Sequence, residues 1–216
     1  MKLEPQHEKE GFPISALREL NTLINLKHPN LINVQEVVFG STLKKVFVVM
    51  EYCENDVKSL LEDRKLKFTH AHVKRMAKQL LSAVAYMHEC WVMHRDLKTS
   101  NLLYSNQDGQ LKVCDFGLAR TFSSATNNYT SWVVTMWYRA PELLLGTDSY
   151  NQAVDIWSVG CILAELILRE PLFCGKNEMD QLEKIFAVLG NPSEQTWPGW
   201  LSLKLAAKVP LNKRNS

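Results

Sequence analysis

The chain has 216 residues, of which 46% are hydrophobic, so it is long enough to bury one large core or two smaller ones. Its formal net charge of +2 excludes a general electrostatic argument for binding nucleic acid or a membrane surface. The five cysteines are odd in number and form no C-x-x-C pair, which indicates the reduced thiols of a cytosolic or nuclear protein. No apolar signal core opens the sequence, and the most apolar later run, residues 161–168, is interrupted by Glu165. We therefore expect a soluble globular protein.

Residues 1–53 predict a small domain of helix and strands. In GFPISALREL, residues 11–20, apolar side chains recur at a helical spacing after Pro13, which suits the first turn of a helix. The runs LINVQEVVF and VFVVM, residues 31–39 and 46–50, are short, apolar and β-branched. They predict two adjacent strands.

The rest of the sequence, residues 54–216, predicts a mostly helical domain. Over residues 73–87, apolar side chains fall at the i, i+3, i+4 and i+7 positions of one long helix with a single buried face. Residues 151–168 predict a second long helix that is apolar nearly all round, and we expect it to be buried at the centre of its domain. Between the two helices, the Asp108-Gly109 pair supplies the positive φ that a tight hairpin needs. The predicted class is α+β.

Three short motifs in a fixed order carry the strongest functional signal. HRDLKTSN occupies residues 94–101, DFG begins at Asp115, and WYRAPE occupies residues 137–142. The set H-R-D-L-x-x-x-N, D-F-G and A-P-E resembles the catalytic motifs of eukaryotic protein kinases, in the expected order. The resemblance implies a two-lobed α+β kinase fold, with a partial small lobe and a partial, mostly helical large lobe. It also implies ATP and Mg²⁺ as cofactors.

The same resemblance implies a role for each polar residue of these motifs. Phosphoryl transfer needs an in-line hydroxyl group and cations that absorb charge on the phosphate oxygens. Asp96 is then expected to accept or orient the proton of the substrate hydroxyl, and Lys98 to place an ammonium near the transferred phosphate. Asn101 and Asp115 are the expected ligands of Mg²⁺, which prefers hard oxygen atoms. A lysine at position 98 resembles the serine/threonine kinases, so the expected acceptor is a Ser or Thr hydroxyl.

The strand at residues 46–50 leads into EYCEND, which by this resemblance is the hinge that holds adenine. The implied nucleotide-binding residues are Met50 at the back of the pocket, Glu51 and Cys53 through their backbones, Asp56 at the ribose and Leu103 below the ring.

PISALRE, residues 13–19, resembles the signature helix of the cyclin-dependent kinases, and among its variants it is similar to the PITSLRE type. VVTMWYRAPELLLG and VDIWSVGCILAEL extend this resemblance over nearly the whole chain. In that family a cyclin, of L type by this analogy, binds the helix, here residues 13–20, and turns Glu19 inward to pair with a lysine. The resemblance also implies functions in the cell cycle or in transcription, in the nucleus or additionally in the cytoplasm.

In that family the activation loop is ordered by a phosphate. Thr130 is the implied phosphorylation site, and Ser131 is the alternative one register away. Arg18, Arg95 and Arg120 are the implied phosphate-binding residues, because each guanidinium offers a planar fork of donors.

The substrate pocket is implied by Val133, Val134 and Arg139, which match the segment that selects proline directly after the acceptor. Proline has no backbone N–H, so a pocket without a free carbonyl accepts it without leaving a donor unpaired. We therefore expect proline-directed substrates. Trp132 departs from the small or aliphatic residue of the family pattern beside this pocket.

Two expected parts of a kinase are not visible in the sequence. There is no G-x-G-x-x-G, and the family's lysine, about eighteen residues before Glu19, falls on Met1. Lys2 is one register away, and we expect no preceding strand to hold it. We also expect Glu142 to lack the arginine that later helices supply in the family. The sequence is therefore either a fragment of an active kinase or a short chain that acts as an inactive cyclin-binding scaffold or decoy.

Overall fold

The computed structural model describes residues 2–3, 24–39, 46–116, 118–121 and 136–209. Contacts divide the chain into two compact units, residues 1–121 and 122–216. This division differs from the predicted boundary at residue 53, and that boundary stays a prediction. The expected cyclin-binding helix at residues 13–20 lies outside the described residues.

Unit 1 begins with a three-stranded antiparallel sheet in the order β1-β3-β2. Its strands are β1 (Lys2–Leu3), β2 (Val34–Phe39) and β3 (Val46–Met50). β2 pairs with β3 as predicted, with Val34 opposite Met50. The backbone of Lys2 is itself part of a strand, because β1 pairs with the second edge of β3 and places Lys2 opposite Phe47. An open strand edge offers unpaired backbone groups to such a third strand. The expectation about a preceding strand stays a prediction.

The predicted long helix of unit 1 is present and slightly longer than its apolar pattern. The described residues of this unit include the helices α1 (Val57–Glu62) and α2 (His70–Glu89). Thr69 and His72 form a capping box at the start of α2, which satisfies two backbone donors that a helix leaves open. The buried face of α2 is formed by Met76, Leu80, Ala83, Val84 and Met87.

A hairpin packs against α2 and leads toward the DFG motif. The other strands in the described part of unit 1 are β4 (Asn55–Asp56), β5 (Val92–Met93), β6 (Leu102–Ser105), β7 (Gln110–Val113) and β8 (Arg120–Thr121). β6 and β7 form the predicted hairpin, and Gly109 has the expected positive φ of 65°. Gln79 of α2 accepts the N–H of Leu111 at 2.6 Å and donates to the carbonyl of Gly109 at 3.1 Å. These two hydrogen bonds therefore fix to α2 the hairpin that precedes the DFG motif in the chain.

Unit 2 contains the second predicted long helix. The α-helices among its described residues are α3 (Pro141–Leu144), α4 (Ala153–Leu168) and α5 (Glu178–Leu189). The expectation that α4 is buried all round is wrong, because Ile156 and Ile167 are 49% and 64% exposed. On the same side, a Cβ added at Gly160 meets no atom within 4 Å. The described residues of unit 2 cover only the opposite face of this helix.

Two buried polar contacts hold α4 to the segment that precedes α3. The hydroxyl of Tyr138 donates to Glu165 at 2.7 Å, and the hydroxyl of Ser158 donates to the carbonyl of Tyr138 at 2.8 Å. A buried carboxylate needs such a donor, because burial without a hydrogen bond carries a large cost. The two polar residues of α4 in these contacts, Ser158 and Glu165, thus each have a hydrogen-bond partner.

All five cysteines are free thiols. Burial raises the pKa of Cys161 in α4 to about 12, so this thiol is protonated at neutral pH.

Across the described part of the chain, we find no helix with the length and apolar character needed to cross a membrane.

Candidate active site

The catalytic-loop motif follows β5 and begins with a buried histidine. Nδ1 of His94 accepts the N–H of Asp96 at 3.2 Å, so the ring proton lies on Nε2, which donates to the Cys114 carbonyl at 3.0 Å. The ring packs on Phe116, with 5.0 Å between centroids. His94 therefore ties the loop that carries Asp96 to the segment that carries the DFG motif, which is a packing role.

Both motif segments contain a residue with left-handed backbone geometry. Arg95 has φ 70° and Asp115 has φ 64°, values that cost free energy in residues other than glycine. Such strain persists only where the surrounding contacts over-determine the backbone. The two positions flank the contact of His94 with Cys114, so this contact supplies part of that constraint.

The structure brings three predicted catalytic residues together. Oδ2 of Asp96 accepts from Nζ of Lys98 at 2.7 Å and from Nδ2 of Asn101 at 3.1 Å. The side chains of Asp96 and Lys98 are both partly buried. No described residue donates to Oδ1 of Asp96, which leaves this oxygen for a substrate hydroxyl. The group thus has the parts that a general base in phosphoryl transfer requires.

The amide of Asn101 is oriented for a metal ion. Its Nδ2 donates to the backbone carbonyl of Asp96 at 2.8 Å and to the carboxylate at 3.1 Å, which uses both amide hydrogens. Oδ1 therefore remains as a hard oxygen acceptor. The N–H of Cys114 donates to the Asn101 carbonyl at 3.0 Å. This bond holds the backbone next to Asp115 beside the catalytic loop.

These two residues fit Mg²⁺. Within the described ranges no cluster of three His, Cys, Asp or Glu residues could hold a metal ion on its own. A set of one carboxylate and one amide oxygen is nevertheless what a nucleotide-bound magnesium needs, because phosphates and water supply its other ligands.

The predicted nucleotide-binding residues lie on three strands and the hinge. β4 pairs with β6 so that Asp56 stands opposite Leu103, which brings the expected ribose contact and the expected floor of the pocket together. Both carboxylate oxygens of Asp56 cap α1, since they accept the N–H of Ser59 at 2.8 Å and its hydroxyl at 2.6 Å. The cap fixes the position of Asp56, and its role at the ribose stays a prediction.

Two hinge residues differ in what their side chains do. Burial raises the pKa of Cys53, so its thiol is neutral, and its expected role through the backbone does not involve the sulfur. The Glu51 side chain forms an ion pair with Lys112 at 3.0 Å. Sequence reasoning missed Lys112. No local pattern in the sequence marks this lysine, because its partner Glu51 lies far away in the chain.

Several predicted site residues lie outside the described residues, so their roles stay predictions. They are Arg18, Glu19, Thr130, Val133 and Val134. The backbone of Arg120 pairs with Met93 in β8, and its side chain is outside the description. In unit 2, Arg139 forms an ion pair with Glu178 at 3.6 Å. The proposed three-arginine phosphate site is therefore not tested by these contacts.

Glu142 lies in the first turn of α3, within unit 2. It lines a cavity of about 500 Å³ together with the aromatic rings of Tyr150, Trp157 and Trp197. Burial raises the pKa of this carboxyl. None of the cations that the structure describes forms an ion pair with it. The charge of Glu142 is thus a cost to the folded state of unit 2.

We expect Glu142→Gln to stabilise the chain at neutral pH, raising the melting temperature by about 2–4 °C for each kcal/mol gained. The pKa of Glu142 in the folded state lies above the ordinary glutamate value of 4.5. The wild type therefore loses stability as the pH rises from 4.5 through the folded-state pKa. The gain of the variant should therefore shrink in acid. Thermal unfolding of both proteins across this pH range measures the difference, and a variant that is less stable than wild type at neutral pH contradicts the expectation.

The catalytic loop, the DFG segment and the hinge strand define a protein kinase. A model of the protein kinase domain matches residues 1–212, and the chain belongs to this family. The predicted α+β kinase fold is confirmed. A chain of the yeast RNA Pol II CTD kinase CTDK-1 complex aligns with a TM-score of 0.89 at 41% identity, covering 97% of this chain and 67% of that chain.

The relatives within the family are cyclin-dependent kinases, which confirms the predicted resemblance. The chain is 54% identical over 202 residues to Cyclin-dependent kinase G-2 of Oryza sativa subsp. indica, covering 94% of this chain and 28% of the relative. It is 52% identical over 212 residues to human Cyclin-dependent kinase 11B, covering 98% and 26%. It is 54% identical over 205 residues to Serine/threonine-protein kinase PITSLRE of Drosophila melanogaster, covering 94% and 21%. The chain therefore spans about a quarter of the length of these curated relatives.

Proposed function

We propose that this chain is the catalytic part of a cyclin-dependent serine/threonine kinase. It transfers the γ-phosphate of ATP to a Ser or Thr hydroxyl that is followed by proline. The observation that carries the proposal is the arrangement of Asp96, Lys98 and Asn101 around one carboxylate. The relatives, which are named cyclin-dependent kinases, support the same activity.

The chemistry follows from the free oxygens of this arrangement. Oδ1 of Asp96 accepts the hydrogen of the substrate hydroxyl and aligns its oxygen for in-line attack on the γ-phosphorus. The ammonium of Lys98, held by the same carboxylate at 2.7 Å, lies where negative charge develops on the transferred group. Asn101 and Asp115 would hold Mg²⁺, which would supply further charge neutralisation when bound. The backbones of Glu51 and Cys53 orient the adenine.

The proposed partner is a cyclin, of L type by analogy with the family, at residues 13–20. It turns Glu19 toward the nucleotide, and phosphorylated Thr130 is held by Arg18, Arg95 and Arg120. The proposed location is the nucleus, with functions in the cell cycle or in transcription. The names of the relatives, which are called cyclin-dependent kinases, support a cyclin partner.

A pair of matched peptides tests this proposal. With a cyclin and Mg²⁺·ATP, the chain should phosphorylate a Ser-Pro peptide more efficiently than the same peptide with Ser-Ala, by about 5- to 150-fold in kcat/KM. That range corresponds to one buried N–H left without an acceptor, about 1–3 kcal/mol. Transfer of ³²P from labelled ATP gives both rates. Equal rates for the two peptides contradict proline direction, and no transfer to either contradicts the kinase activity.

A further inference from the structure

Lys112 lies in β7 and is not part of any motif described above. Its Nζ forms an ion pair with Oε2 of Glu51 at 3.0 Å and donates to the carbonyl of Pro29 at 3.1 Å. The side chains of Lys112 and Glu51 are 13% and 26% exposed, against 54% and 68% for the surface pair of Lys58 and Glu62. Water and salt therefore screen the Lys112 contact less than a surface ion pair.

The second carboxylate oxygen of Glu51 is also bound. Oε1 accepts the backbone N–H of Asn33 at 2.6 Å, and the N–H of Glu51 donates to the Asn33 carbonyl at 3.1 Å. The residue expected to bind adenine through its backbone is thus held by both its side chain and its main chain. All of these contacts lie within unit 1.

The loop before β2, residues 29–33, is bonded in turn to the strand that carries Lys112. The N–H of Ile32 donates to the Val113 carbonyl at 2.9 Å, and the N–H of Val113 donates to the Asn30 carbonyl at 2.9 Å. The chain continues from the end of β7 to Asp115, an expected ligand of Mg²⁺. One ammonium therefore connects the hinge, this loop and the strand that leads to the metal site.

We propose that Lys112 is a positioning residue that fixes the hinge backbone at Glu51 and thereby sets the affinity for adenine nucleotides. The inference rests on the proposed kinase function, because it assigns the hinge to adenine. Lys112 acts through Glu51 and does not contact the nucleotide. Its loss removes a charged donor from Glu51 and frees the hinge backbone relative to β7. Nucleotide binding then weakens in the ground state and the transition state alike, so KM changes and kcat does not.

Titration with ADP and Mg²⁺ tests this role. We expect Lys112→Met to weaken ADP binding roughly tenfold, as for the loss of one charge-assisted hydrogen bond, and to raise the KM for ATP equally at unchanged kcat. Lys112→Arg keeps the cation and should restore most of the affinity. The double variant E51Q/K112M should bind no more weakly than K112M alone, because the two residues act as one unit. Lys58→Met removes a lysine from the exposed pair and should bind like the wild type.

Amide hydrogen exchange separates this inference from the kinase proposal. The N–H of Asn33, which donates to Glu51, should exchange faster in Lys112→Met with no nucleotide present. Wild-type ADP affinity in K112M, or a drop of kcat together with kcat/KM, overturns the positioning role. If the wild type binds no nucleotide, the kinase proposal fails. Faster exchange at Asn33 then supports the hinge contact, and unchanged exchange overturns it.

Discussion

Asp96→Asn is expected to lower kcat for phosphoryl transfer by about 10²- to 10⁴-fold, the contribution of a positioned general base. Asparagine has nearly the same shape, and its carbonyl oxygen can still accept from Asn101 at the place of Oδ2. It cannot carry the negative charge that holds Lys98 at 2.7 Å, nor accept a proton from the substrate. The substitution therefore removes the chemistry and keeps most of the loop contacts. The initial rate of ³²P transfer to a Ser-Pro peptide measures the effect.

The matched control is Asp63→Asn, an exposed aspartate at the end of α1. The oxygen of Asp63 accepts the N–H of Lys65 at 2.9 Å, and an amide oxygen can do the same. This variant should keep the wild-type rate. Thermal unfolding should show that both variants are folded. Wild-type activity in Asp96→Asn would remove Asp96 from the catalytic role, because the amide of asparagine cannot accept the proton of the substrate hydroxyl.

The catalytic loop could be predicted from the sequence because its signal is local. HRDLKTSN places the three predicted catalytic residues within six positions, and such short spacing leaves the backbone few ways to arrange them. In the structure, Lys98 and Asn101 both donate to the same carboxylate oxygen of Asp96. The hairpin was equally local, because Gly109 at the turn fixes the register of β6 on β7.

The contacts that hold the site in place could not be predicted, because they join residues far apart in the chain. Lys112 meets Glu51 and Pro29 only after the hairpin packs beside the hinge and the loop before β2. A lysine at one position of a short strand has no periodicity that would reveal such a partner. The same holds for His94, whose ring forms hydrogen bonds with Asp96 in its own loop and with Cys114 in the segment before the DFG motif.

The second long helix shows the limit of composition as a guide to burial. Residues 151–168 are apolar nearly all round, and this pattern predicts a central helix. Hydrophobic composition states what a helix could bury, whereas burial depends on which other elements pack on it. In α4, Ile156 and Ile167 lie on a face that the described part of unit 2 does not cover. Apolar residues at a surface are common, so pattern alone could not have located this face.

Gly175→Ala should destabilise unit 2 by about 1–3 kcal/mol, the usual cost of overpacking. An added Cβ would lie 2.5 Å from Oε1 of Gln181 and 2.6 Å from its Cα, and the backbone of α5 cannot yield as a flexible side chain would. Gln181 is fully buried, accepts the N–H of Gly175 at 2.7 Å and donates to the carbonyl of Trp137 at 3.2 Å. The indole of Trp137 closes the set by donating to the Gly175 carbonyl at 3.1 Å. The added methyl group therefore strains three hydrogen bonds at once.

Gly160→Ala is the matched control, with the opposite sign. Gly160 lies inside α4, and a Cβ there meets no atom within 4 Å. Alanine should therefore stabilise the chain by about 0.5–1 kcal/mol, because it lowers the entropy of the unfolded chain without a clash. Urea unfolding of both variants gives the two differences. If Gly160→Ala loses as much stability as Gly175→Ala, the face of α4 at Gly160 is covered. If Gly160→Ala gains stability and Gly175→Ala loses it, then of these two positions only Gly175 lacks room for a side chain.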